Sequence, residues 1–285
     1  MNTEQIKIVG VIGAGQMGSG IAQVAAAAGV RTLLWDSMVG ASEKARERSK
    51  ESLAKLLERG KIEQVSFDNY EKNLTIAKDL LDLAECDLII EAIVENQAIK
   101  AECFKKIAPK LSPKGILASN TSSISITKLA ATTFRPDRFI GIHFMNPVPV
   151  MKLVEIINGI QTDPVVTATA IKFCEEKLGK LTVVANDSPG FIVNRILVPM
   201  INEAIYLLQE GVRAEDIDKA MTLGTNQPMG PLTLADFVGL DTLLYILEIL
   251  HRELGEDKYR PCPLLRNYVA AGWFGKKTGR GFYRY

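Results

Sequence analysis

Few side chains in this sequence can carry a proton near neutral pH, since only two histidines, His143 and His251, occur in 285 residues. His143 closes the apolar run "IGIHF" within "IGIHFMNPVPVMKLVEII" (140–157), and Glu155 follows near the end of the same stretch. An imidazole titrates close to neutrality, and a carboxylate on one ring nitrogen fixes its tautomer and stabilises the imidazolium. Such a pair can take a proton from an alcohol and return it to a carbonyl oxygen. Pro147 and Pro149 enforce a turn, after which "MKLVEII" can run back as a neighbouring strand and bring Glu155 beside the ring. Spacing alone still favours the plainer reading of a histidine satisfied within a core.

A second constellation is made of glycines. "GVIGAGQMGSG" places Gly13, Gly15 and Gly18 in a G-x-G-x-x-G pattern, with Gln16 and Met17 at the start of the helix that follows. The first glycine permits a tight turn, the second lets backbone approach a pyrophosphate, and the third allows close helix packing. Unpaired N–H groups at the helix N-terminus face the phosphates. The pattern is weak when it stands alone, but here a β-branched run precedes it and a small-residue helix follows. Asp36 ends the next strand at the distance where a carboxylate accepts hydrogen bonds from ribose hydroxyls and repels a 2′-phosphate. The expected cofactor is therefore NAD, with NADP disfavoured.

These residues need a scaffold, and the first half of the chain supplies one pattern throughout. "IKIVGVIGA", "VRTLLWD", "CDLIIEAIV", "GILASN" and "RFIGIHF" read as buried strands, separated by helix-like stretches such as "NQAIKAECFKKIAPKL". Strands alternating with helices imply a parallel sheet covered on both faces. The charged stretch 41–64 reads as a long helical excursion from that sheet. After "TVVANDSPGF" no β-rich run remains, and 191–211, 214–221, 234–254 and 263–271 read as helices. Asp187-Ser188-Pro189-Gly190 is turn chemistry, with Ser188 placed to cap a helix ahead of Pro189. The expected fold is α/β. A Rossmann-type, mainly parallel sheet fills residues 1–187, and a smaller all-α C-terminal domain fills 188–285. The apolar faces of those last helices exceed what a small bundle buries alone, so a homodimer through the C-terminal domain is expected.

Composition excludes several classes of partner. With 34 basic and 33 acidic residues the net charge is +1, so no overall field draws the chain to nucleic acid or to an anionic membrane. Cys86, Cys103, Cys174 and Cys262 show no metal-ligand spacing, and no metal is expected. Buried free thiols suit a reducing compartment. The chain starts without a basic-then-apolar leader and holds no apolar run of membrane-spanning length, so a soluble cytoplasmic protein is the expectation.

Read together and in order, "GVIGAGQMGSGIAQ", "IIEAIVEN", "ASNTSSISIT", "IGIHFMNPVPVMKLVEII", "DSPGFIVNRIL", "NQPMGPLTLADFVGLD" and "GWFGKKTGRGFY" resemble the L-3-hydroxyacyl-CoA dehydrogenases. The likeness spans essentially the whole chain and is strongest to the short-chain bacterial 3-hydroxybutyryl-CoA group. Met145 departs by standing where Phe is common, and Gln227 falls where the family varies. The resemblance implies NAD-linked interconversion of a (3S)-3-hydroxyacyl-CoA and a 3-oxoacyl-CoA. It makes His143 the base in oxidation and the acid in reduction, oriented by Glu155. Ser122 would hydrogen-bond the substrate's 3-oxygen, and Asn194 would reach substrate and histidine from the helical domain. Asn120 and Asn146 would lie by the nicotinamide, with Glu95 and Lys100 flanking the cofactor ribose. Ser52, Lys55 and Arg59, at i, i+3 and i+7 on one helix face, would contact coenzyme A.

Each residue also has a plainer role. Ser122 could cap the helix beginning "ISITKLA", and Asn194 could be an ordinary exposed helical residue. Glu95 with Lys100 could be a surface pair, and the 52–59 face could be solvated and laced by Glu47–Lys50 and Glu51–Lys55. "GKKTGRG" (275–281) lacks the context of a phosphate loop and reads as a turn anchoring Phe282 and Tyr283. Two other functions stay open from the residues alone: a dehydrogenase of free β-hydroxy acids, which typically uses a lysine base, and a crystallin-like structural protein that binds a dinucleotide.

Overall fold

β-branched runs too short for helices, each followed by a small-residue or charged amphipathic segment, dictate alternation of strand and helix, and the structure follows it. In the computed structural model, which describes residues 3–285, the chain divides into two units, the first ending at Ser188 and the second spanning Pro189–Tyr285. The first unit opens with β1 (Ile8–Ile12), α1 (Gln16–Ala27), β2 (Arg31–Trp35), α2 (Ala41–Glu58), α3 (Gln64–Asn73) and β3 (Leu74–Ile76). It continues through β4 (Leu88–Glu91), α4 (Gln97–Ile107), β5 (Ile116–Ser119), α5 (Ile126–Ala130), β6 (Phe139–Phe144), β7 (Leu153–Asn158), α6 (Pro164–Lys172) and β8 (Leu181–Asn186).

The eight strands form one sheet in the order β3-β2-β1-β4-β5-β6-β7-β8. Neighbours pair in parallel except β6 with β7, which are antiparallel, so β7 and β8 run against the other six. The chain moves outward from β1 to β2 and β3, then returns to lay β4 on the other side of β1. That reversal opens a crevice at the carboxyl ends of β1 and β4, the place where such sheets bind ligands. Its walls are held by a core in which Val9, Val11, Ile21, Leu88, Ile90, Ala118, Ile140 and Ile142 are sealed from solvent.

The helical excursion differs from the expected single long helix. α2 ends at Glu58, a turn follows, and α3 packs back with Tyr70 buried and its hydroxyl donating to Arg46 O at 2.8 Å. Lys50 bonds Glu71 of α3 at 2.5 Å, where an intrahelical partner, Glu47, was expected. β3 is three residues long, too short to leave a period in the sequence.

The second unit is entirely helical apart from its C-terminal turn: α7 (Val193–Gln209), α8 (Ala214–Gly224), α9 (Pro231–Val238), α10 (Leu240–Leu254) and α11 (Pro263–Ala270). α7 begins at Val193 with Ile192 at its N-cap position, so Ser188 does not cap it as expected. The neighbouring Asp187 instead serves α5, accepting from the N–H groups of Ile126 and Thr127 and from the Ser125 hydroxyl, each at 2.8 Å. The stretch 234–254, expected as one helix, breaks at Gly239, whose φ of 101° lies outside the range of ordinary L-residues. The C-terminus is pinned on a buried carboxylate: Asp236 accepts from the N–H groups of Phe282 and Tyr283, both at 2.9 Å, and from the Tyr285 hydroxyl at 3.2 Å. This is the anchoring role expected for the turn at 275–281.

Candidate active site

The antiparallel junction of β6 and β7 decides the position of the histidine. In its register Gly141 pairs with Ile157, Ile142 with Ile156, and His143 with Glu155. Residues directly opposite in an antiparallel pair project to the same face with their Cβ atoms about 5 Å apart. The two side chains therefore meet without any loop having to carry them. His143 Nδ1 lies 2.7 Å from Glu155 Oε2, with His143 7% exposed and Glu155 fully buried. The turn between the strands is closed by the N–H groups of Val150 and Met151, which both donate to Pro147 O at 3.0 Å. A buried carboxylate on Nδ1 stabilises the imidazolium, assigns proton exchange to Nε2 and prevents the ring from flipping.

Beside the histidine strand, β5 ends in the turn "SNTSS", whose polar side chains point in assigned directions. Asn120 Oδ1 accepts from Phe144 N at 2.8 Å, which ties this turn to the residue following His143. Ser122 does not cap α5; Ser125 does, accepting from Lys128 N. Ser122 instead donates its backbone N–H to Glu95 Oε1 at 3.0 Å, and its hydroxyl lies 3.5 Å from the same oxygen. Thr121 Oγ1 and Ser123 Oγ reach that oxygen as well, at 2.6 and 2.9 Å. Burial alone would raise the Glu95 pKa, but the Lys100 charge and the hydrogen bonds from Thr121, Ser123 and Ser122 outweigh it and hold the carboxyl below its ordinary value.

Lys100 is not the surface residue that one reading of "VENQAIK" allowed. It is 1% exposed, and its ammonium sits 2.6 Å from Glu91 Oε1 and 3.2 Å from Glu95 Oε2. In this arrangement it lies behind Glu95, as that residue's counter-charge. Glu91, fully buried at the end of β4, also accepts from Ser119 Oγ at 2.6 Å and from Ile93 N at 2.7 Å. Removing one partner from so buried a pair costs about 3–5 kcal/mol. Reasoning from sequence passed over Glu91 and Ser119. The available signal was a lone acid in the apolar strand "LIIEA", which must find a cation or donors to be buried there.

At the other side of the crevice the glycine turn has the form a dinucleotide requires. Gly13 has φ 105°, and a Cβ on it would lie 2.6 Å from Ala92 O. A Cβ on Gly18 would lie 1.8 Å from Gly13 O, so turn and helix approach as only glycine allows. Gly15 has nothing within 4 Å of its would-be Cβ, and no side chain caps the N-terminus of α1, which leaves open space before free N–H donors. Gln16 is exposed and donates to Asn146 Oδ1 at 3.0 Å, linking α1 to the turn after β6, while Met17 packs against the core. Asp36 accepts from Ala14 N at 2.7 Å and Met38 N at 2.8 Å, so the carboxylate is fixed at the end of β2. These residues fit a bound dinucleotide: a glycine-lined opening, unpaired N–H groups and an oriented acid at the ribose position.

The remaining expected residues belong to other elements of the chain. Ser52, Lys55 and Arg59 are exposed on the second half of α2 and its C-cap. A cleft of about 540 Å³ opens between Ala14 and the first half of α2, lined there by Lys44 and Arg48 among Glu43, Glu47 and Glu51. Asn194 is half-buried on the first turn of α7, in the second unit. Among the described residues no group of His, Cys, Asp and Glu could hold a metal ion, and no helix is long and apolar enough to cross a membrane.

Comparison with known proteins follows the same division of the chain. Residues 8–188 match the family described as 3-hydroxyacyl-CoA dehydrogenase, NAD binding domain, and residues 190–285 match its C-terminal domain. A probable 3-hydroxybutyryl-CoA dehydrogenase of Bacillus subtilis is 54% identical over 282 residues, covering 99% of this chain and 98% of the relative. The human mitochondrial hydroxyacyl-coenzyme A dehydrogenase is 45% identical over 288 residues, covering 98% and 91%. The crystal structure of (S)-3-hydroxybutyryl-CoA dehydrogenase from Ralstonia eutropha superposes with a TM-score of 0.94 at 47% identity, covering 99% of both chains. Matched over both units by family and by fold, the chain belongs to the 3-hydroxyacyl-CoA dehydrogenases.

Proposed function

We propose that the protein interconverts (3S)-3-hydroxyacyl-CoA and 3-oxoacyl-CoA with NAD(H), the short-chain pair 3-hydroxybutyryl-CoA and acetoacetyl-CoA being its substrates. The observation that carries this reading is the His143–Glu155 pair, set by strand register beside a turn of hydroxyls and within a sheet that ends in a dinucleotide turn. When bound, NAD(H) would supply the hydride chemistry at the substrate's third carbon. Gly13, Gly15, Gly18, Gln16 and Met17 would hold its phosphates, Asp36 one ribose, Asn120 and Asn146 its nicotinamide, and Glu95, backed by Lys100, would flank the cofactor ribose. In oxidation His143 Nε2 takes the proton of the 3-hydroxyl; in reduction it returns one to the 3-oxygen. Glu155 keeps Nδ1 protonated and offsets the charge that the ring gains. Ser122 would donate a hydrogen bond to the same oxygen, and Asn194 would contribute a substrate contact.

Lys55 and Arg59, with Ser52, would carry the coenzyme A phosphates on the exposed face of α2, since a chain of net charge +1 needs a local patch to hold an anion. The helical unit leaves Ile196, Leu223 and Phe237 exposed by 68%, 76% and 51%, which supports a homodimer formed through it. Four buried free thiols suit the cytoplasm. The test is loss of NADH absorbance with acetoacetyl-CoA. No oxidation of NADH by the intact protein defeats the reading, and faster turnover of free 3-hydroxybutyrate than of its CoA ester points to a free-acid dehydrogenase. Repeating the assay with NADPH and with longer 3-oxoacyl esters measures what Asp36 excludes and how deep the acyl pocket runs.

A further inference from the structure

Two strands of the sheet and one helix contribute polar groups to a second cluster, separate from the histidine pair. Glu91 closes β4, Ser119 closes the neighbouring β5, and Lys100 enters from α4. Glu91 divides its two oxygens between separate tasks. Oε1 takes the Lys100 ammonium at 2.6 Å and Ile93 N at 2.7 Å, and Oε2 takes Ser119 Oγ at 2.6 Å. Ser119 Oγ in turn accepts from Thr121 N at 3.2 Å, and Lys100 passes to Glu95 Oε2 at 3.2 Å. The turn at 119–123 is thus held twice, at its start through Ser119 and along Thr121–Ser123 through Glu95. Both holds originate on one carboxylate.

We propose that Glu91 is a positioning residue for the reaction, acting through Ser119 and through Lys100–Glu95 to set the turn that presents Ser122. It touches neither substrate nor cofactor, being fully buried at the end of a central strand. A burial of this kind would be wasteful for stability alone, because a well-packed apolar trio is often as stable as a buried ion pair. What an apolar trio cannot supply is direction. The ammonium bridges two carboxylates, and its place between them fixes where Glu95 lies. The charged and titratable groups facing Glu91 are Lys100, Glu95 through Lys100, and Cys103 of α4. The Cys103 thiol is pushed up to about 12, by burial first and then by Glu91, so it stays neutral across the assay range.

This assignment rests on the function proposed above, and its test keeps the two apart. The full-length Glu91→Gln protein is compared with the natural sequence for melting temperature and for pH profiles of acetoacetyl-CoA reduction by NADH. Gln keeps the volume and two of the hydrogen bonds but removes the charge. The expected result is a folded protein with kcat lowered about tenfold or more and KM for acetoacetyl-CoA changed by less than about threefold, the split produced when an interaction matters only in the transition state. Where the acidic limb of the kcat/KM profile reports loss of the Glu95 charge, it should move to lower pH. The Lys100 ammonium that holds the Glu95 carboxyl below its ordinary value is then no longer shared with Glu91, an effect that mere packing would not give. Folded Glu91→Gln protein with an unchanged kcat and profile overturns the assignment. If Glu91→Gln does not stay folded, Ser119→Ala decides, since it cuts the tie to the turn and leaves both ion pairs: a lowered kcat supports the proposal and an unchanged one overturns it. A natural protein that oxidises no NADH defeats the functional reading itself, and the assignment with it.

Discussion

Glu91 and Glu155 are both fully buried carboxylates on strands of one sheet, separated by β5 and β6, yet they are furnished in opposite ways. Glu91 meets an ammonium, a hydroxyl and a backbone N–H. Glu155 meets an imidazole. An ammonium only donates hydrogen bonds, whereas an imidazole held through Nδ1 still has Nε2 to give or take a proton. The first arrangement therefore ties groups together and the second leaves one available for chemistry. The comparison teaches that burial does not mark a carboxylate as catalytic or as structural; the chemistry of its partner does. One pair holds the scaffold still while the other is free to exchange a proton.

The strongest way to break that contrast is to remove the exchanging partner. His143→Ala should lower kcat by about 10³-fold or more, within the range of general acid–base catalysis, while NADH affinity changes less than about twofold. Fluorescence titration of NADH beside steady-state kinetics checks this, and equal losses in both would mean that the ring belongs to the cofactor site. A smaller effect is expected from Glu155→Gln, which keeps an acceptor for Nδ1–H but not the charge that stabilises the imidazolium. It should cost about 10²-fold in kcat with KM little altered. A kcat within threefold of the natural protein would show that Glu155 only orients the ring.

Much of this contrast was legible in the chain. The histidine pair could be foreseen because Pro147 and Pro149 force a turn between two runs with strand character, and antiparallel register then does the rest. The glycine turn was legible for a similar reason, being local. The Glu91 cluster was not, because its members come from β4, β5 and α4 and meet only when the sheet order is known. Lys100 illustrates the loss: its sequence neighbours Glu95 and Asn96 suggest a solvated helix start, but Asn96 caps α4 and its rotation turns Lys100 inward. β3 and the break at Gly239 were hidden because three residues show no period and a glycine within a helical pattern does not declare its φ. The part that Asp187 plays at α5 was hidden because a turn residue does not declare that it serves a helix 60 residues earlier.

The contrast extends to exposed charge, where effects should be smaller and depend on salt. Replacing Lys55 and Arg59 by Met should raise KM for acetoacetyl-CoA severalfold at low ionic strength and less at 0.5 M salt, where the Debye length falls to about 4 Å. kcat should hold. A KM shift that ignores salt would assign the face to packing and leave the coenzyme A phosphates to Lys44 and Arg48.

The smallest expected effect concerns stability and sharpens the idea of a locked carboxylate. The Glu95 carboxyl has a folded-state pKa held below its ordinary value of 4.5 by Lys100 and by the hydrogen bonds of Thr121, Ser123 and Ser122, against the opposing effect of burial. For a depressed acid the sign is fixed: the stabilisation is fully present above the unfolded value and is lost as pH falls through the folded one. Between pH 5 and roughly pH 3 the natural protein should therefore lose melting temperature faster than Glu95→Gln, by about a few degrees over the interval. Above pH 6 the two curves should run parallel, with the variant lower because Lys100 has lost one carboxylate. Differential scanning calorimetry across that range checks both slopes. Parallel curves at every pH would mean that Glu95 is no better paired in the folded chain than in the unfolded one, and the lock on the 121–123 turn would have to be attributed to its hydrogen bonds alone.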